Sequence, residues 1–333
     1  MLNYWAFKGL KPLNRCNDET LQGFISLPKR IWQTSLLLYD MVNLIIENIE
    51  YCSFSQSSIV KRGDEAIMYE ELSAPLPDKK RYLERIGFTG ELKPNLDTLN
   101  RLILAQLHTV PFENLDVYDV GRDILLDTES LFDKIVVQGR GGYCFELNGL
   151  FMSLLQDIGF DCYPVMVRVV WMATGYMPIS HCAGIVTIEG IRYFCDVGFG
   201  GPAPCSALRL DDPGEQQSGA NRFVFAQAPD GDFIIYRTVD GGREQLLKFN
   251  DRPCQNVDFL APNEYLSQNK QSGFKQMRMI NIAREGGSAA INNNVLRLHQ
   301  GGQVEETLLD TEDKLREALL NYFGLAVSFP LKL

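Results

Sequence analysis

The sequence predicts an α+β protein: a helical first part, a β-rich middle and a mixed α/β tail. Three observations carry this. Leu99, Leu102, Ile103 and Leu107 recur at helical spacing after Asp97, which can cap or open the helix. From Tyr163 the apolar period changes to two, and strands are expected over 163–172, 181–188, 191–198, 222–227, 232–239 and 245–249. From about Asn263 the pattern mixes strands (279–283, 294–299) with a last helix over 312–323, stopped by Gly324.

The first 67 residues read differently from the rest. Trp5, Phe7, Leu10, Leu13 and Phe24 are scattered, and one helix is expected over 28–50, where Ile31, Leu37, Leu38, Met41, Val42, Ile45 and Ile49 recur at helical spacing. Two readings stand side by side here: a helical appendage on the main body, or translated upstream sequence ahead of a native start at Met68. Downstream, a turn at Pro75 and Pro77 leads to an amphipathic helix from Lys79 to about Ile86, closed by Gly87. An irregular Asp-rich connection follows residues 111–114, then a short helix around 129–136. Gly141 and Gly142 make a sharp entry into a helix whose first turn holds Cys144 and whose buried side is Phe145, Phe151, Leu155 and Ile158, up to Gly159.

Composition narrows the function. Apolar residues at 45% and charged residues at 22% are those of a folded globular chain, and 333 residues exceed one ordinary core. The formal charge of −10 and the lack of a basic cluster larger than residues 78–81 argue against nucleic acid as a partner. The most apolar early stretch is broken by Asp40, Asn43, Glu47 and Asn48, and the first thirty residues lack a secretion pattern, so no membrane role and a cytoplasmic location are expected. Eight cysteines without a C-x-x-C pair exclude a zinc ribbon or a thioredoxin motif, so no metal is expected.

The chemistry points to Cys144. At a helix N-terminus, free N–H groups and the helix dipole favour a thiolate, which is what a nucleophile needs. The chain has three histidines, His108, His181 and His299. His181 opens a strand that meets the next across the two-residue turn Glu189-Gly190, so opposed residues sum to 379 and Ala183 faces Asp196. His181 and Asp196 then share one face as diagonal neighbours. Asp196 interrupts the apolar run 193–199, where an unpaired carboxylate is costly. Cys144 as nucleophile, His181 as base and Asp196 as its orienting acceptor form the expected catalytic set.

At these residues the sequence resembles the arylamine N-acetyltransferase family. The matching pieces are residues 82–87 (YLERIG), 110–115 (VPFENL), 140–148 (RGGYCFELN) and 196–200 (DVGFG), in the family's order. The resemblance implies a helical N-terminal domain (68–162) with the nucleophile, a β-barrel domain (163–262) with the histidine and aspartate, and an α/β lid (263–333), around a transglutaminase/papain-like cysteine core. Residues 1–67 are an extension the family pattern does not contain. It implies transfer of an acetyl group from acetyl-CoA, a substrate and not a bound cofactor, through a cysteine thioester to an arylamine, arylhydrazine or N-hydroxyarylamine by a ping-pong mechanism in xenobiotic metabolism. The family's triad falls on Cys144, His181 and Asp196. Its substrate pocket implies Phe112, Phe199 and Val169, and its pattern pairs Arg140 with Glu113 structurally, beside the turn glycines Gly141 and Gly142. Cys182 and Ala183 stand where bulkier apolar residues are more usual. The rival readings are a transglutaminase-like amide synthase or peptidase, and an inactive aromatic-ligand-binding protein of the same fold.

Overall fold

Local capping starts the helices where the sequence offers short polar side chains. In this computed structural model, which describes residues 60–62, 65–67 and 72–333, helix α1 (Lys79–Arg85) begins where Asp78 accepts a hydrogen bond from the Arg81 N–H. The predicted helix over 28–50 and most of the extension 1–67 lie outside the described residues. Two short strands, β1 (Val60–Arg62) and β2 (Glu65–Ile67), pair antiparallel. Of the two roles open to Asp97, the structure gives it the second: helix α2 (Leu96–Thr109) is capped by Asn95, and Asp97 opens it from the first turn, where its charge suits the positive end of the helix. The predicted helix around 129–136 is α3 (Thr128–Phe132), continued by a wider turn, Asp133–Val137. Helix α4 (Cys144–Ile158) runs to Gly159, whose φ of 101° ends it.

The second half alternates inward and outward along an eight-stranded antiparallel sheet. Its strands are β4 (Asp161–Val169), β5 (His181–Ile188), β6 (Ile191–Cys195), β7 (Leu208–Arg209), β8 (Gln216–Ser218), β9 (Asn221–Gln227), β10 (Phe233–Val239) and β11 (Gly242–Phe249), in the order β7-β6-β5-β4-β11-β10-β9-β8. The two end strands meet through the Gln216 side chain, which bonds both the N–H and the carbonyl of Arg209 at 2.7 and 2.8 Å. The sheet is thus a nearly closed barrel. Val165, Val167, Ala183, Ile185, Phe194, Phe225, Ile235 and Phe249 fill its interior, while Cys182, Val186, Ile188, Tyr193 and Cys195 face the helical core around α4.

After helices α5 (Leu260–Gln268) and α6 (Gly273–Gln276), a second sheet forms from β12 (Met279–Arg284), β13 (Gly287–Asn292), β14 (Val295–Gln300) and β15 (Gln303–Leu308). Its fifth member comes from far upstream: β3 (Phe112–Glu113), to which the sequence assigned no element, pairs with β12. Helix α7 (Glu312–Phe323) packs Leu315, Leu319 and Phe323 on Ile280, Ile282, Ala289, Ile291 and Leu296. Arg278, fully buried, pins this layer: it grips Asp119 with two nitrogens at 2.6 and 3.0 Å and donates to the carbonyls of Asn293 and Lys332. Its positive charge is matched and hydrogen-bonded, which its burial requires.

The predicted strand over 191–198 stops at Cys195. The Val197 N–H goes to the Asn148 side chain at 2.9 Å, so the ladder ends and the chain turns toward α4.

Candidate active site

The entry to α4 is built by close backbone approach. A Cβ on Gly141 would lie 2.0 Å from the Pro111 carbonyl oxygen, and one on Gly142 would lie 2.8 Å from Glu146. Only glycine fits either place. The Glu113 N–H donates to the Gly142 carbonyl at 2.8 Å, tying this turn to β3, and Glu146 reaches back to accept the Tyr143 N–H at 2.9 Å. These bonds set Cys144 at the first position of the helix, 2% exposed, with its thiol directed at the Ser180 carbonyl at 3.6 Å.

His181 begins β5, and its Nε2 lies 2.6 Å from Asp196 Oδ2, both residues being 2% exposed. The hairpin pairs Ile188 with Ile191 through Gly184 with Cys195, so every opposed pair sums to 379 as the turn dictates. Asp196 stands one residue beyond the ladder, still on the face of His181. Burial alone would lower the His181 pKa; the Asp196 carboxylate beside it, with the Cys144 thiol, outweighs burial and pushes it up to about 10. The ring is therefore held as imidazolium at neutral pH. With Nε2 committed to Asp196, Nδ1 is the nitrogen left for Cys144.

Asn148 is the residue that sequence reasoning quoted but gave no role. One turn after Cys144, its amide donates to Asp196 Oδ1 at 2.9 Å and to the Cys182 carbonyl at 2.8 Å, and its oxygen accepts from Val197 N–H. Asp196 Oδ1 also accepts the Gly198 N–H at 2.9 Å. The i,i+4 spacing from Cys144 was the available signal, since it puts both side chains on one face of the helix.

Phe199 lies beside His181, with ring centroids 5.7 Å apart, and makes an edge contact with Trp171 at 6.2 Å. Phe112 borders this cluster through Gly200, where a Cβ would come within 3.1 Å of the ring. Val169 pairs with Leu247 in the sheet, and is partly buried against the barrel core two residues before Trp171. Trp171 was not anticipated. Arg140 donates to Glu113 at 2.9 Å, and Lys134 bridges Asp116 and Glu146, each at 2.7 Å. His299 lies on β14 opposite Val304, and His108 at the end of α2, away from this constellation. No metal-binding group of His, Cys, Asp or Glu occurs among the described residues.

Comparison with known proteins places this arrangement in context. A profile of the N-acetyltransferase family matches residues 95–331. An arylamine N-acetyltransferase of Mycolicibacterium smegmatis is 32% identical over 250 residues, covering 73% of this chain and 90% of its own. A Salmonella typhimurium protein named arylamine N-acetyltransferase / N-hydroxyarylamine O-acetyltransferase is 33% identical over 250 residues, covering 71% and 84%. The structure of Mycobacterium marinum arylamine N-acetyltransferase in complex with CoA superposes with a TM-score of 0.67 at 29% identity, covering 74% of this chain and 92% of that one. Fold and relatives together define an acyltransferase. Within that class, the chain belongs to the arylamine N-acetyltransferase family.

Proposed function

We propose that this acetyltransferase carries the acetyl group of acetyl-CoA as a thioester on Cys144 and passes it to an arylamine, arylhydrazine or N-hydroxyarylamine, in two half-reactions. The observation that carries the reading is the buried 2.6 Å contact between His181 and Asp196 beside a cysteine at a helix start. In the first half-reaction the Cys144 sulfur, its proton held by His181 Nδ1, attacks the thioester carbonyl. The backbone N–H of Cys144, in the first turn of α4, is the donor for the tetrahedral oxyanion. The C–S bond to coenzyme A breaks, and the imidazolium protonates the departing thiolate. In the second, the amine attacks the Cys144 thioester, His181 takes the amine proton, and the cysteine leaves as thiolate, which restores the starting ion pair.

Phe199, Phe112 and Val169 supply the apolar walls for the aromatic acceptor, with Trp171 beside them. Arg140 and Glu113 keep the glycine turn in place. The division into helical (68–162), barrel (163–262) and lid (263–333) parts around a papain-like cysteine core is the architecture proposed with this function. A reducing compartment, the cytoplasm, would keep the six free cysteines of the described residues as thiols, and xenobiotic metabolism is the setting proposed. No helix of the described residues is long and apolar enough to cross a membrane.

Mass spectrometry of the intact protein after brief exposure to acetyl-CoA without acceptor tests the reading. One added acetyl group on Cys144, discharged by an arylamine, is expected. An amide synthase with another donor would give no adduct from acetyl-CoA but would react with an activated ester. A binding protein would give neither.

A further inference from the structure

Directly beneath the turn that presents Cys144 lies a buried charge cluster that the proposed mechanism does not use. Glu146, 1% exposed, directs one oxygen to the Tyr143 N–H at 2.9 Å and the other to Lys134 Nζ at 2.7 Å. Lys134 Nζ also holds Asp116 at 2.7 Å. Around them stand Glu113 on β3, Arg140 on the turn, and Arg122 at the exposed rim, 3.5 Å from Asp116. Tyr143 and Cys144 are the titratable groups nearest Glu146 in sequence, and burial, then Glu146, push the Tyr143 hydroxyl pKa up. Three carboxylates thus share two buried cations.

We infer that Lys134 and Glu146 are positioning residues for Cys144: the ionised pair clamps the Tyr143 N–H and fixes the first turn of α4, and protonating Glu146 releases the clamp. Gly142 is part of the device, because a Cβ there would collide with the Glu146 carboxylate. Glu146 is the group that titrates in the working range. Burial raises its pKa, Lys134 opposes this, and Glu113 and Asp116 reinforce it, for a value of about 7. Lys134 is held charged by Glu146, Glu113 and Asp116 against the cost of burial. A proton gained near neutrality therefore lands on Glu146.

The inference rests on Cys144 being the acylated residue, and its test separates the two. Single-turnover acylation by 4-nitrophenyl acetate is measured against pH, with intact mass locating the acetyl group. The parent rate should fall roughly threefold or more as pH drops through about 7, because a misplaced nucleophile loses rate steeply. Glu146→Gln keeps an acceptor for the Tyr143 N–H but neither titrates nor pairs with Lys134, so its rate should stay low across that range with no limb near neutrality. Lys134→Met should move the limb up by about one pH unit, since a lone buried carboxylate is harder to ionise, and Lys134→Arg should restore it. A role confined to stability would lower every rate alike and leave the profile's shape unchanged; that result overturns the inference, as does a limb that persists in Glu146→Gln. Acylation of a residue other than Cys144 would instead overturn the reading of the site, and this inference with it.

Discussion

Asn148 holds more of the site together than any residue singled out from the sequence. Its replacement by alanine would strip partners from the Asp196 carboxylate, the Cys182 carbonyl and the Val197 N–H, all buried. Each polar group left without a partner costs about 1–3 kcal/mol, and part is recovered by relaxation, so Asn148→Ala should lower stability by about 2–4 kcal/mol. Acylation of Cys144 should fall by roughly a hundredfold, because Asp196 loses the bond that aims it at His181. Urea denaturation and single-turnover acylation check both numbers; an unchanged acylation rate would show that the Gly198 N–H alone orients Asp196. Cys144→Ala makes the complementary case. Its side chain is small, with the Ser180 carbonyl at 3.6 Å and His181 as its polar contacts, so the fold should survive while transfer ends, as near-UV circular dichroism and an arylamine assay would report. Retained transfer in that variant would remove Cys144 from the mechanism.

Among the elements, those with a strong local signal were legible and those that depend on distant chain were not. The helix at Cys144 declared itself through two glycines, a helical apolar face and Gly159, and the His181 hairpin through its two-residue turn, which fixed the register that brings Asp196 to His181. Strand β13, with the sequence GSAAIN, has a single branched residue, Ile291, and β15 is exposed along its whole length and shows no alternation. Strand β3 exists only because β12 pairs with it from about 170 residues away, and no local pattern encodes that. The barrel strand β6 ended early for a reason equally non-local, the Asn148 side chain. Gly198 marks the seam between these elements: a Cβ there would lie 2.9 Å from Cys144 Cα and 2.7 Å from Asn148 Nδ2. Gly198→Ala should therefore push the start of α4 off the strand end, costing about 1–3 kcal/mol as overpacking does. Acylation should suffer more than stability, because the displaced element carries the proposed nucleophile. Equal activity with a lower urea midpoint would mean that the seam yields on the side away from Cys144.

Two buried ionic groupings, His181 with Asp196 and Lys134 with Glu146 and Asp116, link the stability of the whole molecule to the titration of a few groups. His181 has its folded-state pKa raised from 6.5 to about 10, so its contribution is complete below 6.5 and is lost as pH rises through about 10. Glu146, raised from 4.5 to about 7, contributes in the same sense: fully below 4.5, and progressively less as pH rises through about 7. Asp116 has the opposite sign, because Lys134 and Arg140 outweigh the effect of its burial and depress its pKa; its contribution is present above 3.8 and lost as pH falls. The sum predicts a molecule that loses stability as pH rises from about 4.5, through Glu146 up to about 7 and through His181 up to about 10, while the cost on the acid side begins only under about pH 4. Urea midpoints across this range should fall continuously from pH 6.5 toward pH 10. Asp196→Asn isolates the histidine term, since an amide cannot favour the imidazolium and the His181 pKa should drop back toward its ordinary value. That variant should be less stable near neutrality yet show a shallower alkaline decline, the two midpoint curves converging above about pH 10. Parallel curves would mean that Asp196 is not the charge that keeps His181 protonated, and the alkaline loss would then have to come from the thiols of Cys162, Cys182 and Cys195, whose pKa burial raises.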